Sequence, residues 1–109
     1  MTNEQTEYLV VVSPGANDRM SEHFEFLAQV SVKAANKVLQ DLIKDIRSLK
    51  NMPYRNPTYN RPYIQAGKYR YMVSNKRYHI VYQITDFTVF VDDIRDCREN
   101  DDKSILYQV

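Results

Sequence analysis

Cysteine is almost absent from this chain: one among 109 residues, so neither an internal disulfide nor a cysteine-based zinc site can form. That excludes the secreted disulfide scaffolds and the zinc fingers. Long apolar runs are missing too. The longest, such as YLVVV, stop far short of the ~18 residues a membrane span needs. The opening MTNEQTE is acidic and leads into no signal-type apolar stretch. Tryptophan is lacking, and no internal repeat or low-complexity tract is visible. With 43% hydrophobic and 27% charged residues, wholesale disorder is excluded. A soluble, cytoplasmic protein with no membrane partner is expected, one domain over residues 1–109. A chain of this size buries about 65% of its unfolded surface.

A further absence is local. Residues 46–85 contain no Asp or Glu, although the chain holds 14. The stretch carries eight cations: Arg47, Lys50, Arg55, Arg61, Lys68, Arg70, Lys76 and Arg77. It also holds seven of the nine tyrosines. Cations interleaved with aromatic rings make an electrostatic footprint for phosphates, with flat faces for unstacked bases or an apolar partner. The plainer alternative is a solvated face beside tyrosines that fill a core.

Residues 7–12, EYLVVV, read as a strand halted at Ser13-Pro14-Gly15. Ser13 is placed as an N-cap with Pro14 at the first helical position. Ala16, Met20, Phe24 and Leu27 then recur at helical spacing. Ser31 caps a second helix whose apolar face is Ala35, Val38, Leu39, Leu42, Ile43, Ile46 and Leu49. The short break between them predicts an antiparallel helical hairpin. Pro53, Pro57 and Pro62 forbid a regular element in the next stretch. After Gly67 the period changes to two, through 69–73, 78–84 and 88–94, with hairpin-sized connections. The predicted order is β-α-α-β-β-β: an α+β fold, an antiparallel sheet with the helical hairpin on one face.

Alternation separates Ile80, Tyr82 and Ile84 from His79, Val81 and Gln83, and Tyr69, Tyr71 and Val73 from Arg70 and Met72. The aromatic and aliphatic sets are expected beneath the helices. Arg70 and His79 would then share the open face, within reach of Arg98, a surface suited to a phosphodiester. A merely exposed histidine is the alternative for His79. Cys97 beside Arg98 has no orienting partner for a nucleophile's role. Asp92, Asp93, Asp96, Asp101 and Asp102 lack the spacing of a calcium loop and read as a solvated rim, so no metal or cofactor is expected.

SVKAANKVLQDLIKDIRSLKNMP, GKYRYMVSNKRYHIVYQI and VFVDDIRDCREND, in that order, resemble the RelE/ParE toxin superfamily of bacterial type II toxin–antitoxin systems, in its plasmid stabilization branch. The resemblance runs from YLVVVSPGA to Asn100. It implies a compact toxin neutralised by a small cognate antitoxin, with a homodimer or a toxin–antitoxin heterotetramer as the expected assembly. It further implies an mRNA interferase, an endoribonuclease acting with the ribosome on mRNA, or alternatively a protein that arrests DNA gyrase by binding, or a toxin fold without activity.

In the mRNA-cleaving members basic side chains lie on the two central strands and an arginine follows the last. The matching positions here are Arg70, Met72, His79 and Arg98; Asp96 and Asn100 depart from the histidine and aspartate common in relatives. Tyr107 matches a C-terminal tyrosine that assists in some members. Metal-free RNA cleavage needs a base for the 2′-hydroxyl, a cation for the dianionic transition state and an acid for the leaving oxygen. His79 is the expected base or acid. Arg70 and Arg98 would bind the phosphate, and Asp96 or Glu99 would orient the histidine or carry the second proton. Arg61, Lys68, Lys76 and Arg77 are the expected RNA-binding cations. An acidic antitoxin is expected over the 46–85 surface.

Overall fold

The computed structural model describes residues 7–99. Its elements are β1 (Leu9–Val12), α1 (Pro14–Ala28), α2 (Val32–Ser48), a 3-10 turn (Pro53–Arg55), β2 (Arg70–Ser74), β3 (Tyr78–Thr85) and β4 (Thr88–Asp96). Local chemistry sets the helix starts. The Ser13 hydroxyl accepts from the Ala16 N–H at 3.0 Å, and Pro14 fills a position that has no hydrogen bond to lose. Ser31 repeats the device, accepting from the Ala34 N–H at 3.1 Å. Between them the Val30 and Ser31 N–H groups both donate to the Leu27 carbonyl, which turns the chain back. Left-handed Met52 (φ 50°) before Pro53 closes the helical region.

Helices α1 and α2 lie on one face of a four-stranded sheet ordered β1-β4-β3-β2. Ala16 and Met20 from α1, with Leu42, Ile46 and Leu49 from α2 and the residue after it, meet Tyr78, Ile80, Tyr82, Val89, Val91 and Ile94 from the sheet. Burying each large aliphatic side chain contributes about 2 kcal/mol. The Tyr82 hydroxyl is satisfied inside this layer, donating to the Pro53 carbonyl at 2.6 Å and accepting from Asn56 Nδ2 at 3.0 Å.

The meander β2-β3-β4 is antiparallel as expected, but β1 runs parallel to β4, with Val10 beside Val89. The sheet is therefore mixed, which corrects the expectation of an antiparallel one. Only a tight turn imposes antiparallel pairing, and β1 is joined to β4 through everything between them.

The faces of β2 also differ from expectation. Ser74 pairs with Tyr78 across a three-residue connection, so Tyr71 lies opposite Val81, Val73 opposite His79 and Arg70 opposite Tyr82. Partners across a ladder share a face. Tyr69, Tyr71 and Val73 therefore share the face of His79, and Arg70 with Met72 turns toward the helices. An even-length connection would have reversed this assignment. On that second face Tyr59, Tyr69 and Val81 form a small core of their own, flanked by Ile64 and Tyr71. The proline-rich segment supplies Tyr59 by pairing along β2: Tyr59 N–H to the Tyr69 carbonyl at 2.7 Å, Tyr71 N–H to the Pro57 carbonyl at 3.1 Å.

Candidate functional site

His79 lies mid-sheet on the face that the helices leave uncovered, paired across the ladders with Val73 on one side and Arg95 on the other. Its ring packs on Tyr71, centroids 4.9 Å apart, and Tyr71 meets Tyr59 edge-on at 5.9 Å. Arg61 reaches in from the proline-rich segment with its guanidinium 4.1 Å over the Tyr59 ring. Partial burial, then the positive charges of Arg61 and Arg95, hold the His79 pKa below its ordinary 6.5. The shift favours the neutral imidazole, the form that accepts a proton.

Beside it, Gln83 donates to Asp92 at 2.7 Å and lies 3.4 Å from the Tyr69 hydroxyl. Burial and the Asp92 carboxylate push the Tyr69 phenol up to about 12. Asp92 is the extra residue where β4 shifts register against β3, between the Val81–Asp93 and Tyr82–Val91 pairs. Of the expected RNA-binding cations, Lys68 lies 5.4 Å from the Tyr69 ring centroid, close to this face. Lys76 occupies the β2–β3 turn, with φ 57°.

The remaining sequence candidates lie elsewhere. Arg70, on the helix side, donates to the Asn56 carbonyl at 2.6 Å and the Tyr54 carbonyl at 3.2 Å, so it anchors a loop rather than facing His79. Asp96 accepts from Arg77 Nη2 at 2.8 Å and from Arg98 Nη2 at 3.1 Å, and its other oxygen takes the Arg98 N–H at 3.0 Å. One carboxylate thereby commits two of the expected cations. Asn100 and Tyr107 lie outside the described residues, as do Asp101 and Asp102.

Arg98 lines a cleft of about 470 Å³ between α1 and the end of β4, with Arg19, Glu22, His23, Phe26, Asp96 and Glu99. Arg19 is its hub. The guanidinium bonds both oxygens of Glu99, Glu22 at 3.2 Å and the fully buried Asp93 at 3.3 Å. Burial alone would raise the Glu99 carboxyl, but the Arg19 and Asp96 hydrogen bonds outweigh it and the net shift is downward. His23 Nε2 lies 2.7 Å from the Ile94 carbonyl, and its ring packs on Tyr78 at 4.9 Å.

Arg95 and Tyr71 were not among the sequence candidates. Each becomes visible only through strand register, because alternation by itself does not say which residue lies across a ladder. Among the described residues no group of His, Cys, Asp and Glu could hold a metal ion, and no helix is long and apolar enough to cross a membrane.

Among curated proteins no sequence matches this one. A solved structure described as the chromosomal ParDE TA system from P. aeruginosa is similar at a TM-score of 0.68 and 11% identity, covering 84% of this chain and 97% of that one. At that identity the likeness establishes the fold. The family model for the ParE toxin of the type II toxin–antitoxin system parDE matches residues 10–101. On that match, which runs from within β1 through the end of β4, the chain belongs to the ParE toxin family of type II toxin–antitoxin systems, within the RelE/ParE superfamily.

Proposed function

We propose that this toxin acts on mRNA at the ribosome through the uncovered sheet face, with His79 as general base. The observation that carries the reading is the placement of His79 on the uncovered face, stacked on Tyr71 and paired across the ladder with Arg95, with Arg61 over the neighbouring Tyr59 ring. A neutral imidazole takes the 2′-hydroxyl proton; the 2′-oxygen attacks phosphorus, and the bond to the leaving 5′-oxygen breaks, leaving a cyclic phosphate. Arg61 binds the phosphate, and Arg95 adds positive potential from beneath, so charge developing on the phosphoryl oxygens is stabilised. Tyr71, partly exposed, offers a stacking surface for a flanking base, the buried Tyr59 ring supports Tyr71 and Arg61 from below, and Lys68 and Lys76 hold the strand. Arg70, Arg98 and Asp96 act here as positioning residues: Arg70 through its loop, Arg98 and Asp96 through the turn that follows β4. The leaving oxygen takes its proton from water.

The partner of such a toxin is a cognate antitoxin, and an acidic one laid over the 46–85 surface would mask this face. Retained binding in an Arg61→Ala, Lys68→Ala double variant argues against that placement.

A second reading is arrest of DNA gyrase by binding alone. It is favoured by the separation of Arg70 and Arg98 from His79 and by the commitment of Asp96 to Arg77 and Arg98. Primer extension on mRNA from cells given a short pulse of the toxin separates the two. New 5′ ends within codons, lost in His79→Ala and reduced in Arg61→Ala, are the outcome for cleavage. Intact mRNA with arrested growth and broken DNA would move the activity to gyrase.

A further inference from the structure

The outer ridge of α2 has a composition that packing does not require. Lys33, Lys37, Gln40, Lys44 and Arg47 follow one another at steps of four, three, four and three residues, and all are exposed. At 3.6 residues per turn they fall within an arc of about 80°, opposite the buried Ala35, Leu42 and Ile46. No acid stands in the ridge. Asp41 and Asp45 are set to one flank, where Asp41 accepts from Lys37 Nζ at 2.7 Å. Arg55, folded back onto Ser48 and the Met52 carbonyl, carries positive charge past the end of the helix.

We propose that this ridge is a second nucleic-acid contact, which tracks the phosphate backbone of structured RNA. The ridge spans ~21 Å at 1.5 Å per residue, enough to meet several successive phosphates. Its chemistry favours a backbone over a protein partner. Protein interfaces draw their affinity from a buried apolar and aromatic centre, and the ridge contains no apolar side chain. Phosphate contacts need only mobile cations on a firm base, and α2 is anchored along its opposite side by the core. The ridge also faces away from His79, because α2 lies between it and the sheet. An RNA seated there leaves the uncovered sheet face open, so one face holds a large RNA while the other handles a single strand. The contact does not depend on His79 being a catalyst.

The test is fluorescence anisotropy of the full chain with a labelled ~20-base-pair RNA duplex, titrated over a range of salt. The variant carries Lys33→Gln, Lys37→Gln, Lys44→Gln and Arg47→Gln; glutamine keeps helix propensity close to lysine and arginine. The Lys44→Gln, Arg47→Gln pair serves as the milder second variant. Expected is a loss of affinity of about tenfold or more at ~50 mM salt, with a log–log salt slope shallower by about 3, and roughly half that change in the pair. His79→Gln retains duplex binding even where it abolishes mRNA cleavage, so the two sites fail separately. An unchanged slope in the fourfold variant overturns the proposal, as does no binding by the parent chain at low salt. Tighter binding of a DNA duplex of the same length overturns the assignment to RNA.

Discussion

At the α1–β4 cleft Arg19 and Arg98 each meet a carboxylate, whereas on the uncovered sheet face Arg61 lies over a tyrosine ring and bears electrostatically on a histidine. The same side chain serves two purposes because its surroundings differ. Within the cleft, Arg19, Asp93 and Glu99 are packed together largely out of water, and their mutual attraction offsets the cost of burial. On the sheet face, the Arg61 guanidinium is seated against an aromatic ring, a cation–π contact rather than a buried carboxylate pair. Arginine count alone would not separate a carboxylate-paired arginine from one seated on an aromatic ring.

The sharpest way to break this contrast is to remove the cleft's hub. Arg19→Met removes the Arg19 hydrogen bonds from the buried Asp93 and from the Glu99 carboxylate, and urea denaturation is expected to show a loss of about 3 kcal/mol. Arg61→Met, the matched change on the sheet face, is expected to cost less than about 1 kcal/mol. Equal losses would erase the distinction between the two regions. Next in size is a pair of tyrosines. Tyr82→Phe strands the Pro53 carbonyl and the Asn56 amide in the core and should cost about 1–2 kcal/mol by the same measurement. Tyr71→Phe on the sheet face should stay within about 0.5 kcal/mol.

Smaller effects appear in the pH dependence of stability. Because the folded state holds His79 below 6.5, its contribution is complete above that pH and is lost as pH falls below it. His79→Gln should flatten the stability curve in that window only. Glu99 is likewise held below its ordinary 4.5, so its contribution is present above 4.5 and drains away on further acidification. Arg19→Met should blunt this lower window and leave the upper one intact. At the small end, Lys37→Gln removes an exposed pair with Asp41 and should shift stability by no more than about 0.5 kcal/mol.

Local signals carried much of the fold. Ser13 with Pro14, and Ser31, announce both helix starts, because a capping hydroxyl acts within three residues of itself. The apolar period of α2 and the alternation along β3 likewise name their buried faces. What stayed hidden depends on pairing. Nothing near Val10 states that Val89 is its neighbour, so the parallel β1–β4 pair could not be read. Tyr69, Tyr71 and Val73 look as suited to a core as Ile80 and Tyr82 do, and only the length of the 75–77 connection decides which set they join. That single parity placed Arg70 away from His79 and brought Tyr71 to it. For the same reason Arg95 was passed over: its place opposite His79 depends on the register after the shift at Asp92.

The parallel pairing of β1 with β4 also orders events in time. A ribosome releases this chain from its first residues, yet the strand that flanks β1 is the last in the described sequence. Until β4 emerges, β1 has no neighbour in the sheet, and the contact it awaits closes a loop of about 80 residues, a slow step in folding. The uncovered face cannot be assembled earlier, since Arg95 arrives on that same final strand. The sheet of this toxin is therefore complete only once its last described strand has joined its first.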